Sequence, residues 1–363
     1  MVTIQDIISA IEELAPVALQ ESYDNTGMQV GESSLPATGA VLCVDVTEDV
    51  VDEAVALGAN LIIAHHPLLF RGLKRITGSS YIERIVMKAL RNHVAIYAAH
   101  TNLDAVAVNY RWAEMLGLAH AEVLQPVSNM LLKLVTYVPV AQAESVKQAL
   151  FAAGAGSIGK YDSCSFTSDG IGSFRAGAGT HPFCGTVGEL HHEQECRIEV
   201  VLPRYLKSRI VKTLFHVHPY EEPVCDFLSL DNDWRQVGHG IVGNLPDEVS
   251  ALDFLFSLKQ TIPCGSIRHT ARKEQRVRRV ALCGGGGSFL IDNAVAAKAD
   301  IFVTGEIGYH HFFGYENTII LAEIGHYESE QHTKAIFYDV IRKKFPTFAT
   351  YLTKVETNPI KYL

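Results

Sequence analysis

Short apolar runs alternate with amphipathic stretches along most of this chain, and the alternation predicts strands and helices in turn. Ile4, Ile7, Ile8, Ile11 and Leu14 recur at helical spacing, with Thr3 placed to cap the start and Pro16 near the end. The stretch 41–46 reads as a strand, and 48–57 as a helix whose Val51, Ala54 and Val55 face inward, with Gly58 ending it. Leu61-Ile62-Ile63-Ala64 then reads as a buried parallel strand, stopped at His65-His66-Pro67. This order makes a βαβ unit, which implies a parallel sheet and a right-handed crossover. A helix over 81–92 and a strand over 94–99 extend it, and that strand releases His100-Thr101-Asn102-Leu103-Asp104 at its C-terminal end. Tyr23-Asp24-Asn25-Thr26-Gly27-Met28 reads as a turn whose Asp and Asn bond to their own backbone.

The late part of the chain repeats the early part. Ala281-Leu282-Cys283 echoes Val41-Leu42-Cys43, the stretch 291–296 echoes 51–56, and 299–303 echoes 59–63. All three matches share one offset, 281 against 41, 291 against 51 and 299 against 59, so no gap separates them. An ungapped strand–helix–strand echo predicts two structurally related halves. In the second half Gly305-Glu306 stands in place of His65-His66, and the next strand, 319–322, leads into Gly325-His326-Tyr327-Glu328-Ser329-Glu330. Between the halves, 128–236 reads as an insertion: a strand over 132–138, a helix over 143–153, a strand over 197–202, a helix over 204–217 and a strand over 223–230. That order suggests a small ferredoxin-like domain. The Gly- and Ser-rich stretch 154–188 inside it is too long for a passive connection and suits a role in assembly or sensing. The predicted fold is therefore α/β, with two related halves (1–127 and 237–363) forming one domain, interrupted by an α+β domain at 128–236.

Composition narrows the class. At 363 residues two domains are expected, and 48% hydrophobic residues suffice for a full core. The net charge of −9 argues against a general affinity for nucleic acid. Seven scattered cysteines without a C-x-x-C pair suit a reducing cytosol and argue against a disulfide framework or a zinc ribbon. No export signal or membrane-length apolar run is visible, so a soluble cytoplasmic protein is expected.

The candidate chemistry lies just beyond strand C-termini, where open α/β sheets bind ligands. His65 and His66 are either a metal-binding pair or a strand cap. Asp104 can bind or bridge cations, with His100, Thr101 and Asn102 orienting ligands from behind. His326 and Glu330, four apart, lie on one helical face if a helix runs from here to Val340. They either share a metal or are ordinary first-turn residues. Gly284-Gly285-Gly286-Gly287 follows a strand and precedes a helix, where backbone N–H groups can hold an anion, but it lacks the phosphate-loop lysine, which favours a simple tight turn over an anion site.

Five stretches carry a resemblance: Tyr23-Asp24-Asn25-Thr26-Gly27, His65-His66-Pro67, Ala99-His100-Thr101-Asn102-Leu103-Asp104, Thr304-Gly305-Glu306 and Gly325-His326-Tyr327-Glu328-Ser329-Glu330. In this order they resemble the NGG-interacting-factor-like dinuclear metal-centre proteins, whose members are often named GTP cyclohydrolase 1 type 2 homologues. The resemblance covers nearly the whole chain. It includes the insert, where the strand 135–139 and His218-Pro219-Tyr220-Glu221-Glu222 are similar to PII and CutA proteins. It implies two divalent ions (Zn, Fe, Mn or Ni) per chain, with His65, Asp104 and Glu330 on one, His66 and His326 on the other, and Glu330 able to bridge. It further implies His100 and Asn102 behind the ligands, a ring-shaped homohexamer, and a GTP, other nucleotide or phosphoester substrate. Glu306 or His310 would shuttle the proton. Where many relatives carry a basic residue before Tyr-His, this chain has Gly308-Tyr309-His310-His311, which removes a positive charge. A metal-dependent hydrolase and a metal-binding regulator with a ligand-sensing insert are the two functions expected.

Overall fold

A computed structural model describes residues 2–363. Two compact units emerge, one built from residues 2–125 and 237–363 and the other from 126–236.

The larger unit contains two sheets. In the first, Ala95–Ala98, Leu61–Ala64, Ala40–Cys43 and Thr350–Leu352 lie side by side and parallel, and Gly27–Val30 closes one edge antiparallel. All four residues of each of the three strands Ala40–Cys43, Leu61–Ala64 and Ala95–Ala98 are buried. Successive side chains point to opposite faces, so two cores form. Ala40, Leu42, Leu61, Ile63, Ala95 and Tyr97 pack with helices Ile4–Leu14 and Thr333–Lys344. Val41, Cys43, Ile62, Ala64 and Ile96 pack with helices Glu48–Ala56 and Tyr81–Arg91. Sheets covered on both faces need apolar residues at every position, which is why these strands read as unbroken apolar runs. Truncating a fully buried member such as Ile62 to Ala costs about 2–5 kcal/mol. Thr3 caps the first helix as expected, its Oγ1 accepting from Asp6 N–H at 3.2 Å while Asp6 accepts from Thr3 N–H at 2.8 Å.

The second sheet runs Arg268–His269, Ile320–Glu323, Ile301–Thr304, Arg276–Cys283, Trp234–Ser250, Ala119–Val127, with the three strands Arg276–Cys283, Ile301–Thr304 and Ile320–Glu323 parallel. The internal echo reappears here as register. Ala40 pairs with Leu61 and Cys43 with Ala64 in the first sheet, and Val280 pairs with Ile301 and Cys283 with Thr304 in the second. Each residue stands 240 positions from its counterpart.

The smaller unit is a four-stranded antiparallel sheet in the order Phe166–Arg175, Leu190–Pro203, Leu131–Pro139, Asp226–Ser229, with helices Ala143–Ala152 and Lys207–Val217. Its chain order, βαββαβ, is the ferredoxin-like pattern. One expectation changes here. The stretch 154–188 is not wholly irregular, because Phe166–Arg175 forms a ten-residue ladder with Leu190–Glu199. Its glycines and exposed polar residues hide the period-2 signal. A second difference lies at the chain's late helix. The expected run to Val340 is two helices, His326–Glu330 and Thr333–Lys344, and the break turns the His332 ring inward. There its Nδ1 accepts from Trp112 Nε1–H at 3.1 Å, and its Nε2 lies 3.2 Å from the Val108 carbonyl.

No helix among the described residues is long and apolar enough to cross a membrane.

Candidate metal centre

His65 and His66 leave the C-terminal end of Leu61–Ala64, held there by backbone bonds from His65 N–H to Cys43 O and from His66 N–H to Val44 O. His65 is fully buried, and its Nδ1–H donates to the Ala99 carbonyl at 3.0 Å. That bond fixes the tautomer and leaves Nε2 as a bare lone pair. Nε2 faces Asp104 Oδ1 at 3.6 Å and Glu330 Oε1 at 3.6 Å. Both distances are too long for hydrogen bonds, and His65 Nε2 and Asp104 Oδ1 are buried without a hydrogen-bond partner. Buried lone pairs aimed at one another call for a partner between them, a proton, a water or a cation. This donor set fits a metal ion.

A second group shares Glu330. Its Oε2 lies 2.9 Å from His66 Nε2 and 3.2 Å from His326 Nε2. His65, Asp104 and Glu330 form one donor set, and His66, His326 and Glu330 another. The two oxygens of a single carboxylate thus face two imidazole sets, the arrangement of a bridging ligand. His65, His66 and His100 form a third overlapping set, so His100 stands as a possible direct ligand as well as a residue behind the ligands.

The orienting contacts come from residues that the sequence did not single out for this task. Asp45, just past the end of Ala40–Cys43, accepts from His66 Nδ1–H at 2.7 Å. Asp24, in the turn before the edge strand, accepts from His100 Nδ1–H at 2.9 Å and from Thr101 N–H at 3.1 Å, and also takes the Thr101 hydroxyl. The available signal for Asp45 was its place beyond a parallel strand's C-terminus. Asn102 faces away: its Nδ2 donates to Ala15 O at 2.6 Å and its Oδ1 accepts from His100 N–H at 2.9 Å, so it braces backbone. Glu306 is exposed, and its Oε1 lies 3.1 Å from His326 Nδ1. His310 is exposed on the turn Tyr309–Phe312, stacks edge-on with Tyr309, and belongs to none of the donor sets formed by the described residues.

Two glycines make room. A Cβ on Gly285, whose φ is +60°, would sit 2.4 Å from Glu330 Oε1. One on Gly305 would sit 2.6 Å from both Gly285 O and Ser329 Oγ. The glycine-rich turn does not act as an anion cradle at three of its four amides. Gly284, Gly285 and Gly287 N–H donate to Asn109 Oδ1, Ser329 Oγ and Thr304 Oγ1. A tight turn is what the sequence suggested and what these bonds describe.

The charges follow from the packing. Burial pushes the His65 imidazole down to about 4, so it is neutral and ready to ligate. Burial would also lower His66, but the carboxylates of Asp45 and Glu330 outweigh it and lift it to about 10. His326 rises to about 9 against its burial, through Glu330 first. Burial and the nearby Glu330 charge raise Asp104 well above the carboxylate range. Glu330 falls well below that range despite its burial, held ionised by the hydrogen bonds from the His326 and His66 imidazoles. A carboxylate kept ionised in the interior beside specific partners makes this cluster a functional-site candidate.

Known proteins share this architecture. A GTP cyclohydrolase 1 type 2 homolog of Bacillus subtilis is 36% identical over 99% of this chain and 98% of its own length. One from Halalkalibacterium halodurans is 38% identical over 84% of this chain and 83% of its own. The crystal structure of a Bacillus cereus protein related to NIF3 superposes with a TM-score of 0.87 at 35% identity, covering 100% of this chain and 99% of that one. A Staphylococcus aureus structure gives a TM-score of 0.77 at 26% identity, covering 100% and 99%. The family profile described as Duf34/NIF3 (NGG1p interacting factor 3) matches residues 2–359, and with these relatives it shows that the chain belongs to the Duf34/NIF3 family.

Proposed function

We propose that this protein is a dinuclear divalent-metal hydrolase acting on a nucleotide or phosphoester. The carrying observation is Glu330, a buried carboxylate whose two oxygens face separate imidazole sets, beside a His65 Nε2 and an Asp104 Oδ1 that have no hydrogen-bond partner. His65, Asp104 and Glu330 would hold one ion, and His66, His326 and Glu330 the other. Imidazole with carboxylate suits Zn, Fe, Mn or Ni. Bound there, such ions supply Lewis acidity and a water of lowered pKa. The chain's own residues do the rest. Asp45 and the Ala99 carbonyl fix the two imidazoles of the His65–His66 pair. Glu306, on the exposed side, orients His326 through Nδ1 and is placed to carry a proton to solvent. His310 serves this reading only as a group that reaches substrate from outside the donor sets. The name borne by the Bacillus and Halalkalibacterium relatives supports GTP as the first substrate to try. A homohexamer located in the cytoplasm belongs to the same reading, and light scattering on the purified protein tests the assembly.

The deciding experiment is turnover. Metal per chain is measured by elemental analysis, and the protein is assayed with added Mn, Fe or Zn against GTP, other nucleotides and phosphoesters. Turnover that disappears in both His65→Ala and Glu330→Gln supports the hydrolase. Full occupancy without turnover favours the second reading, a metal-binding regulator whose PII/CutA-like insert senses a ligand. The observation behind that reading is a cavity of about 660 Å³ in the insert, lined by Tyr137, Phe174, Arg175, Phe183, Arg197 and Tyr220 among others.

A further inference from the structure

The insert carries a donor cluster of its own, made of residues with no part in the reading above. Cys184 Sγ, His191 Nε2 and a Glu193 carboxylate oxygen lie within 4.8 Å of one another. They come from two sources: Cys184 from the connection between Phe166–Arg175 and Leu190–Pro203, and His191 and Glu193 from the second of those strands. His191 and Glu193 are two apart on a strand and so share a face. Their side chains meet at 2.9 Å. The imidazole is fixed from two sides. The Phe174 ring packs edge-on at 5.4 Å, and the backbone at Gly185, where a Cβ would sit 2.8 Å from His191 Cγ, presses on it. None of the three donors is fully exposed.

We propose that Cys184, His191 and Glu193 bind a single zinc-class divalent cation, which ties the long connection at 176–189 to the strand Leu190–Pro203. One thiolate, one imidazole and one carboxylate are a borderline-soft donor set, which selects zinc over magnesium or calcium. Tetrahedral bonds of these types put donors about 3.3–3.8 Å apart, so the three side chains need only small rotations to close. Binding takes the proton from the Cys184 thiol to solvent and moves the imidazole proton from Nε2 to Nδ1. Three protein donors leave one position open, the pattern of sites that admit a further ligand. The cluster also shares a wall with the insert's cavity. Phe174, which packs on His191, and Tyr220, whose hydroxyl lies 3.9 Å from Cys184 Sγ, both line it. Tyr220 donates to the buried Glu195 at 2.7 Å, so the ion would stiffen a wall that is already braced from behind.

Cobalt reports this site apart from the dinuclear one, because only a thiolate ligand gives an intense near-ultraviolet sulfur-to-cobalt charge-transfer band. The full chain is titrated with Co2+ after metal removal, alongside Cys184→Ser, Glu193→Gln and Glu330→Gln, with each fold checked by circular dichroism. The expected result is a band that saturates at one ion per chain, survives in Glu330→Gln and falls to background in Cys184→Ser. Zn2+ should abolish it by displacement and protect Cys184 from alkylation, read on its own peptide by mass spectrometry. Absence of the band in the unmodified protein overturns the proposal, as does its survival in Cys184→Ser. A band lost in Glu330→Gln also overturns it, since the thiolate signal would then belong to the other centre.

Discussion

The two halves of the larger unit share a scaffold to the residue and spend it differently. In the first half the strand Leu61–Ala64 ends in His65 and His66, which put two imidazoles straight into the centre. The position 240 later holds Gly305 and Glu306, and here the strand end contributes no ligand to the donor sets but makes space. The third strand of each half then leads into a His–x–x–x–acid pair, His100 with Asp104 and His326 with Glu330. Histidines on the second strand end as well would add two imidazoles to the four, His65, His66, His100 and His326, already gathered there. With glycine on one side, Glu330 can reach between the histidines of the other half. The difference teaches that the centre depends as much on what the second half gives up as on what the first half provides.

The strongest way to break this comparison is Glu330→Gln. Because Glu330 belongs to both donor sets, metal content should fall for both ions together, with affinity reduced by well over the roughly 10–100-fold typical of losing a residue behind the ligands. Of the two sets joined through Glu330, His65→Ala touches only the one with Asp104, so it should remove that ion first. Equal losses in the two variants, measured by elemental analysis, would show that the sets are not joined through Glu330.

Next is Gly285→Ala. The φ of +60° and the 2.4 Å approach to Glu330 Oε1 should together cost about 1–3 kcal/mol in stability and lower metal content too. The matching position in the first half is Asp45, where a side chain is required instead. Asp45→Asn should keep the fold within about 1 kcal/mol but loosen the metal roughly 10–100-fold by taking the charge from the hydrogen bond that His66 Nδ1–H donates. Thermal melts beside metal titrations separate the two outcomes, and an Asp45→Asn protein with unchanged metal affinity would remove Asp45 from the centre.

The smallest effect serves as an outside reference, in the insert. His218 Nε2–H donates to the Tyr137 carbonyl at 2.9 Å and its Nδ1 accepts from Tyr220 N–H at 3.1 Å, so the fold holds the neutral ring and burial lowers its pKa. The folded state then binds fewer protons than the unfolded one. Its contribution is complete above the ordinary histidine value near 6.5 and fades as the pH drops through the lower folded value. Urea melts at pH 7.5 and 5 should show a smaller acid penalty in His218→Gln than in the parent chain. An equal penalty would assign the acid sensitivity to other groups.

Much of this was legible in the sequence because buried parallel strands must be apolar throughout, and an ungapped echo at one offset survives as register. The strand-end histidines and the His326–Glu330 pair were visible for the same reason: residue type and position beyond a strand coincide. Asp45 and Asp24 were not, since an aspartate that orients a ring looks like any turn aspartate until the ring is placed beside it. The strand Phe166–Arg175 was hidden by glycines and by exposure on both faces, which remove the alternation that a half-buried strand would show. The break after Glu330 was hidden because helical spacing continues across it, and only the inward turn of His332 toward Trp112 interrupts the helix.

The separation of the ligands along the chain also sets a timetable. His66 and Glu330 stand 264 residues apart. At synthesis rates of about 5–20 residues per second, roughly 13–53 s pass between the appearance of the first and the second. For that interval the emerging protein holds His65, His66, His100 and Asp104 but no bridging carboxylate. On the proposed dinuclear reading, the bridged two-ion centre would be completed only once Glu330 has been made, which would make it a mark of a chain synthesised through both halves.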